Sequence, residues 1–501
     1  MTPRRFFHAL AAALALAAPA KANPADTDPE IQRTIASAAL GSAEIAVVVM
    51  DPDSRRVISE HNPNTPLIPA SNMKLFTAGT ALAILGEDFA FTTTLSALPT
   101  DDPARPALLI TGSGDPGFAD PELLREMNLG VDELIQVWAD AAADYATTIN
   151  ADGFSEIILD DRVFDRETVH PSWPRDALNR WYCAEVSGLN FHTNIVELYT
   201  ERRAQDDPPI VRLVPDLPGV VVRNRARSVL EGRQTAWAAR ELGTNNLTLF
   251  GNVRRTGGPI NVALTDSSSL FARYLAGMIE TRGIPVGHAR RARDTEVFHA
   301  AVPLHVIRTP LTTALVRCNA DSYNLYAEAL LKRTANEVTG APGSWARGAA
   351  VVEMTVQNRL DLAGASSLRI VDGSGMSRDN RATALAIAEW LSVLAADPGI
   401  APAFTASLAT ESRGTRAVRR LARNDLRNRL FAKSGYLRGT YALSGYLIDE
   451  ASGDRVVFAM MVNNKPAAVP AKRVHDLFAR VVGLADQWLE DTETHTPAMG
   501  G

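Results

Sequence analysis

Pro69-Ala70-Ser71-Asn72-Met73-Lys74 runs straight into Leu75-Phe76-Thr77-Ala78-Gly79-Thr80-Ala81-Leu82-Ala83-Ile84-Leu85. Beyond Lys74 the run has no charge, and its residues are small or apolar. That pattern predicts a helix buried on most sides. Pro69 stands just ahead of it, a usual place for proline at a helix start. Ser71 then falls in the first turn, and Lys74 follows one turn along on the same face. Burial disfavours an ammonium, so a lysine held there can act as a base. A serine beside such a base is a candidate nucleophile. Alone, Ser-x-x-Lys is a short motif, and a serine at a helix start commonly only caps it.

Two later stretches give it company. Cys318-Asn319-Ala320-Asp321-Ser322-Tyr323-Asn324 leads into Leu325-Tyr326-Ala327-Glu328, placing Ser322-x-Asn324 where a turn enters an amphipathic helix. Phe431-Ala432-Lys433-Ser434-Gly435 precedes two β-like runs, Tyr441 to Asp449 and Arg455 to Val462, joined by a hairpin at Ala451-Ser452-Gly453. Ser-x-x-Lys, Ser-x-Asn and Lys-Ser/Thr-Gly, in this order, form the set found in β-lactamases and penicillin-binding proteins.

The gap between Ser71 and Ser322 is far longer than a β-lactamase has. The chain resembles the class C low-molecular-mass penicillin-binding proteins, the penicillin-binding-protein-four type of D-alanyl-D-alanine carboxypeptidase/endopeptidase. Phe91-Thr92-Thr93-Thr94-Leu95, Gly112-Ser113-Gly114-Asp115-Pro116 and Asp372-Gly373-Ser374-Gly375-Met376-Ser377-Arg378 extend the likeness along most of the chain. The third motif is usually Lys-Thr-Gly; Ser434 keeps the hydroxyl and loses the methyl. The residue after its glycine is usually small and here is Tyr436.

The resemblance implies an α+β fold: a transpeptidase-like antiparallel sheet flanked by helices, with a large nested insertion that includes a β-rich subdomain. The chain's own punctuation agrees. Glu44 to Met50 reads as a buried strand, and Arg55 to Glu60 returns after a turn. From about Thr200 to Gly258 the chain is charged and turn-rich with short β-like runs, like a small unit of its own. The expected plan is 23–90 and 304–501 for the catalytic domain, 91–199 and 259–303 for the insert, and 200–258 for the nested part.

The resemblance also implies roles. Ser71 attacks, Lys74 takes its proton, and Ser322 relays the proton to the leaving amine. Asn324, Lys433 and Ser434 grip substrate, and the backbone N–H groups of Ser71 and Tyr436 form the oxyanion hole. Arg378 and either Asp160 or Asp161 would meet the diamino acid of the peptidoglycan stem peptide. β-Lactam antibiotics are the other expected ligands, and no cofactor is needed. Glu185-Val186-Ser187-Gly188-Leu189-Asn190 is similar to the deacylating loop of class A β-lactamases, but it precedes Ser322 and is read as chance. A β-lactamase or esterase on the same fold, and an inactive peptidoglycan-binding scaffold, are the rival readings.

The rest of the chain sets bounds. Its 501 residues suit two or three domains, and a formal net charge of −6 argues against a nucleic-acid binder. Arg4 and Arg5, an apolar Phe6 to Ala18 and Ala20-Lys21-Ala22 read as a signal peptide over residues 1–22, hence a periplasmic protein. No later run suits a transmembrane helix. Nine scattered histidines give no metal pattern, and the two cysteines, Cys183 and Cys318, read as unpaired buried thiols.

Overall fold

A computed structural model describes residues 29–360 and 367–493; the expected signal peptide lies outside them. Glu44–Met50 is the strand around which the catalytic sheet is laid. The order is Arg429–Leu437, Thr440–Ile448, Arg455–Asn463, Glu44–Met50, Val57–His61, antiparallel throughout. Side chains alternate between the two faces of a strand. Ala46, Val48 and Met50 accordingly enter one core with Met73, Phe76 and Trp390. Val47 and Val49 enter another with Ile31, Val474, Leu477 and Val481. Both faces are covered, so the strand is apolar throughout instead of alternating. The apolar stripe of the last helix, Ala471–Glu493, is therefore a core face.

The helix after Ser71 spans Met73–Leu85, and every residue from Met73 to Leu82 is buried. It packs among the helices Leu311–Asn319, Asn324–Thr339 and Ala384–Ala396. Trp390 pins it: the indole stacks on Phe76 at 6.1 Å and donates to the Leu75 carbonyl at 3.0 Å. Gly79 permits the close approach, because a Cβ there would lie 2.8 Å from Leu394 and 3.0 Å from Trp390.

A second five-stranded sheet has the order Val286–Arg291, Phe154–Asp160, Ala107–Gly112, Ala90–Leu98, Val302–Pro310. It is mixed, with Phe154–Asp160 parallel to both neighbours. Helices Val131–Thr148 and Ser267–Glu280 pack with it. Its last strand runs to Pro310 and pairs with Ala90–Leu98, so the chain leaves this unit later than the boundary at 303 expected above. Small sheets occupy the stretch from Ile195 to Ala263, wider than 200–258. This part is not a unit with its own core: Leu198, Leu247, Leu249 and Val253 join one cluster with Leu95, Trp138 and Phe271. The short strands are too few-sided to bury an apolar face without the insert beneath them.

Trp390→Ala removes the largest group fastening the serine helix. Large-to-small changes of buried tryptophan cost about 3–5 kcal/mol. A clearly lower urea midpoint with an unchanged m-value is expected in equilibrium denaturation.

Candidate active site

The nucleophile candidate sits outside the α-helix proper. Ala70–Asn72 form a single 3₁₀ turn, and the α-helix begins at Met73. Ala70 has φ +47°, a left-handed conformation that a non-glycine residue adopts at a cost of about 1–3 kcal/mol. Its carbonyl is held by a glycine opposite: a Cβ on Gly375 would lie 1.8 Å from the Ala70 oxygen. Asn72, beside Ser71, donates from Nδ2 to Ser444 Oγ at 2.6 Å, tying the turn to the sheet.

Lys74 is wholly buried, at 0% exposure. Its Nζ donates to Ser71 Oγ at 3.2 Å, Asn324 Oδ1 at 2.7 Å and the Ser374 carbonyl at 2.8 Å. Those are three acceptors for the three protons of an ammonium. Burial pulls the pKa of Lys74 down to about 8, against the opposing pull of Cys318, Glu328 and Asp372. A lysine so placed is in reach of the serine and loses its proton close to working pH.

The second and third motifs meet here too. Ser322 has φ +59° and precedes the helix Asn324–Thr339. Asn324 turns its Oδ1 to Lys74 and donates from Nδ2 to the Tyr182 carbonyl at 2.8 Å. Lys433 reaches across from the edge strand, donating from Nζ to Ser322 Oγ at 2.7 Å and to the Ser434 carbonyl at 2.8 Å. Burial, and Lys74 next, hold Lys433 well below the ordinary lysine range. Ser434 Oγ lies 2.7 Å from Thr415 Oγ1.

The strand Arg429–Leu437 is an edge, and its free side faces the serine turn. Ala432 bonds outward, exchanging N–H···O bonds with Ala409 at 2.9 and 3.0 Å. Backbone direction alternates with period two, so Ser434 and Tyr436 also present their N–H groups outward. Gly435 allows the approach: a Cβ there would stand 2.9 Å from the Pro69 oxygen and 3.0 Å from the Ser71 nitrogen. The Tyr436 side chain is 65% exposed and rests edge-on against Tyr441. It forms rim, and its bulk does not enter the serine turn.

The structure brings Ser71, Lys74 and Asn324 into one hydrogen-bonded group and Ser322, Lys433 and Ser434 into a second, close enough for Lys74 to act on the charge of Lys433. The peripheral residues stand differently. Arg378 is exposed and donates to the Arg438 carbonyl at 2.7 Å, at the hairpin that ends the Lys433 strand. Asp160 is held by Arg162 through two bonds of 2.8 Å. Asp161 is buried and paired with both Arg166 and Arg291. Glu185, the decoy, accepts from the Asp266 N–H at 3.0 Å within the insert. Both cysteines are free and buried. Among the described residues no cluster suits a metal ion, and no helix is long and apolar enough to cross a membrane.

Some contributors carried no sequence signal of their own. Glu328 accepts from the Gly373 and Ser374 N–H groups, and Ser374 supplies a carbonyl to Lys74. From the insert, Trp173 Nε1 donates to Asp372 at 2.9 Å and Ser172 Oγ to Ser377 at 2.8 Å. Only Asp372, Gly373, Ser374 and Ser377 lie in the stretch from Asp372 to Arg378 that carries the family likeness, and contacts between distant loops have no periodicity to read.

A serine within reach of a buried lysine, a hydroxyl tied to a second lysine and an edge strand turning the Ser434 and Tyr436 N–H groups outward fit a serine acyl-transfer hydrolase of the penicillin-binding-protein class. The description D-Ala-D-Ala carboxypeptidase 3 (S13) family matches residues 28–482, and the chain belongs to that family as a class C, penicillin-binding-protein-four type serine peptidase. It is 29% identical over 467 residues to a D-alanyl-D-alanine carboxypeptidase of an Actinomadura species, covering 87% of this chain and 81% of that one. It is 22% identical over 435 residues to the D-alanyl-D-alanine carboxypeptidase DacB of Haemophilus influenzae, covering 84% and 85%. The crystal structure of penicillin binding protein 4 from Haemophilus influenzae shares the fold, with a TM-score of 0.71, 18% identity and coverage of 90% of this chain and 97% of that one.

Gly435→Ala tests how closely the edge strand must approach Ser71. The added methyl meets backbone at 2.9 and 3.0 Å, so the turn or the strand has to shift. A misplacement of about 1 Å can cost on the order of a hundredfold in rate. Acylation by a fluorescent penicillin, read per folded protein, should slow by that order, and the thermal midpoint should fall, because the methyl meets backbone and not the end of a flexible side chain.

Proposed function

We propose that this serine peptidase cleaves the bond between two D-alanines, or the D-alanyl bond of a peptidoglycan cross-link, through an acyl-enzyme on Ser71. The observation that carries the reading is the fully buried Lys74 ammonium within hydrogen-bond reach of Ser71 Oγ and Asn324 Oδ1. In this reading neutral Lys74 takes the Ser71 proton as Oγ attacks the carbonyl carbon. The N–H groups of Ser71 and Tyr436 receive the developing oxyanion. Ser322, bonded to Lys433, returns a proton to the leaving amine, and water then releases the acyl group. The side chain of Asn324, fixed by Lys74 and the Tyr182 carbonyl, orients the substrate amide. Lys433 and Ser434 meet the terminal carboxylate.

At the rim, exposed Arg378 donates one N–H to the Arg438 carbonyl and has further donors for the carboxylate of the stem peptide's diamino acid. Asp160 and Asp161 would first have to release their arginines before meeting its ammonium. β-Lactams acylate the same serine; a structure of the Haemophilus protein is described as a complex with a novel β-lactam. Glu185 spends its carboxylate on the Asp266 N–H within the insert, which supports slow loss of a bound β-lactam over β-lactamase action. The leader-like residues 1–22 support a periplasmic site of action.

Mass spectrometry after incubation with penicillin should find one adduct, on Ser71. Lys74→Arg keeps the charge but removes a usable base, since guanidinium does not deprotonate in proteins. Adduct formation should nearly stop while the fold survives. In the parent enzyme the neutral fraction of Lys74 grows as pH rises through about 8, so the acylation rate should rise across that range. Near-normal acylation of the arginine variant would remove Lys74 as the base.

Lys433→Ala separates grip from relay. A charge-assisted hydrogen bond to the terminal carboxylate contributes about 1.5–3 kcal/mol. Its loss should lower kcat/KM on an acid-terminated D-Ala-D-Ala peptide by roughly ten- to a hundredfold more than on the C-terminal amide. Equal losses on both would confine Lys433 to its bond with Ser322.

A further inference from the structure

The helix that opens with Asn324 carries a second polar residue on the same face. Asn324 and Glu328 are one turn apart and point the same way. Glu328 is 0% exposed and belongs to neither the nucleophile nor the relay. Three donors converge on its carboxylate: the Gly373 N–H at 2.8 Å, the Ser374 N–H at 2.8 Å and Trp345 Nε1 at 2.9 Å. The peptide it grips ends in the Ser374 carbonyl, which accepts from Lys74 Nζ at 2.8 Å. One helix face thus touches Lys74 twice, directly through Asn324 and at one remove through the Gly373–Ser374 backbone.

We propose that Glu328 is a positioning residue for acyl transfer: its carboxylate anchors the Gly373–Ser374 peptide and so aims the Ser374 carbonyl at Lys74 Nζ. The proposal rests on the acyl-enzyme reading above. Two features favour a charge over a mere acceptor. A dry carboxylate is costly unless paired and fully bonded, and this one is met by three donors beside two buried ammonium groups. A glutamine could not replace it, since its amide offers one acceptor oxygen and would turn an NH₂ group toward an N–H donor.

The surroundings fix the sign of the effect. Lys74 is faced by Cys318, Glu328 and Asp372, and Lys433 stands across the cluster. Glu328 is faced in turn by Asp372, with Lys332 behind the Trp345 ring at 3.7 Å and His170 against that ring's edge. Asp372 is itself bonded by the Gly375 and Ser377 N–H groups, Asn380 and Trp173. Burial, then Asp372, push Glu328 up to about 7, and its charge works to raise Lys74. Removing that charge lets Lys74 lose its proton at lower pH.

The test is the pH profile of acylation by a fluorescent penicillin, with the fraction of titratable Ser71 counted by adduct mass. Glu328→Gln should move the rising limb to lower pH. It should also lower the alkaline plateau by roughly ten- to a hundredfold per active site, the scale of one lost bond to a charged group. Glu328→Asp, which keeps the charge, should restore the position of the limb. Trp345→Phe removes one donor, favours the neutral acid and should shift the limb in the same direction by less; it serves where the glutamine variant does not fold. An unmoved limb in Trp345→Phe and in any folded Glu328→Gln, with rate falling only as titratable sites fall, would overturn the proposal and leave Glu328 a structural acid. Absence of any Ser71 adduct in the parent enzyme is the distinct result that sinks the acyl-enzyme reading itself.

Discussion

The site depends on keeping one ammonium dry and bonded. Lys74 has no exposed surface, so each of its protons needs a protein acceptor, and an unmet one would cost more than the bond returns. The acceptors come from three separate parts of the chain: the serine turn, the start of the Asn324 helix and the Ser374 loop. Much of the local architecture can be read as the means of delivering them. Gly375 presses against the left-handed Ala70, Glu328 anchors the Ser374 peptide, and the insert clamps Asp372 through Trp173. The insert also supplies the Tyr182 carbonyl that fixes Asn324. Its contribution to the site is backbone and clamp, which explains why it shares an interface with the catalytic helices.

The two lysines divide the work by what they touch. Lys74 holds the nucleophile, and Lys433 holds Ser322. Each is buried, and burial lowers the proton affinity of both. An arriving carboxylate changes that balance for whichever ammonium it meets, because an opposite charge favours the charged form. In the proposed mechanism the bound carboxylate therefore also bears on where the proton sits at the serine.

Much of this was legible before any coordinates. The three motifs in order, the unbroken apolar run after Lys74 and the continuous apolar strand of Glu44 to Met50 each have a direct physical meaning, and family membership and fold agree with them. What escaped was long-range. Glu328 looks like an ordinary acid on an amphipathic helix until Gly373 folds back onto it. The stretch around 200–258 reads as separate because its strands are short and polar, yet its few apolar residues are spent on the insert's core. The apolar run places Ser71 in the first turn of the helix, and it stands one step earlier, on a 3₁₀ turn entered through the left-handed Ala70.

The strand order carries a consequence for biosynthesis. The strand bearing Lys433 reaches the N-terminal strand only through Thr440–Ile448 and Arg455–Asn463, all near the end of the chain. Sheets closed by such distant pairings form late, because their loop-closure entropy comes due before the contacts do. As the chain emerges, Ser71 and Lys74 are made early and the insert can gather around its own core. The strand with the outward N–H of Tyr436 and the Lys433 ammonium that bonds Ser322 is still missing. Until that strand is made, the serine turn stands without the groups that the proposed mechanism sets around it.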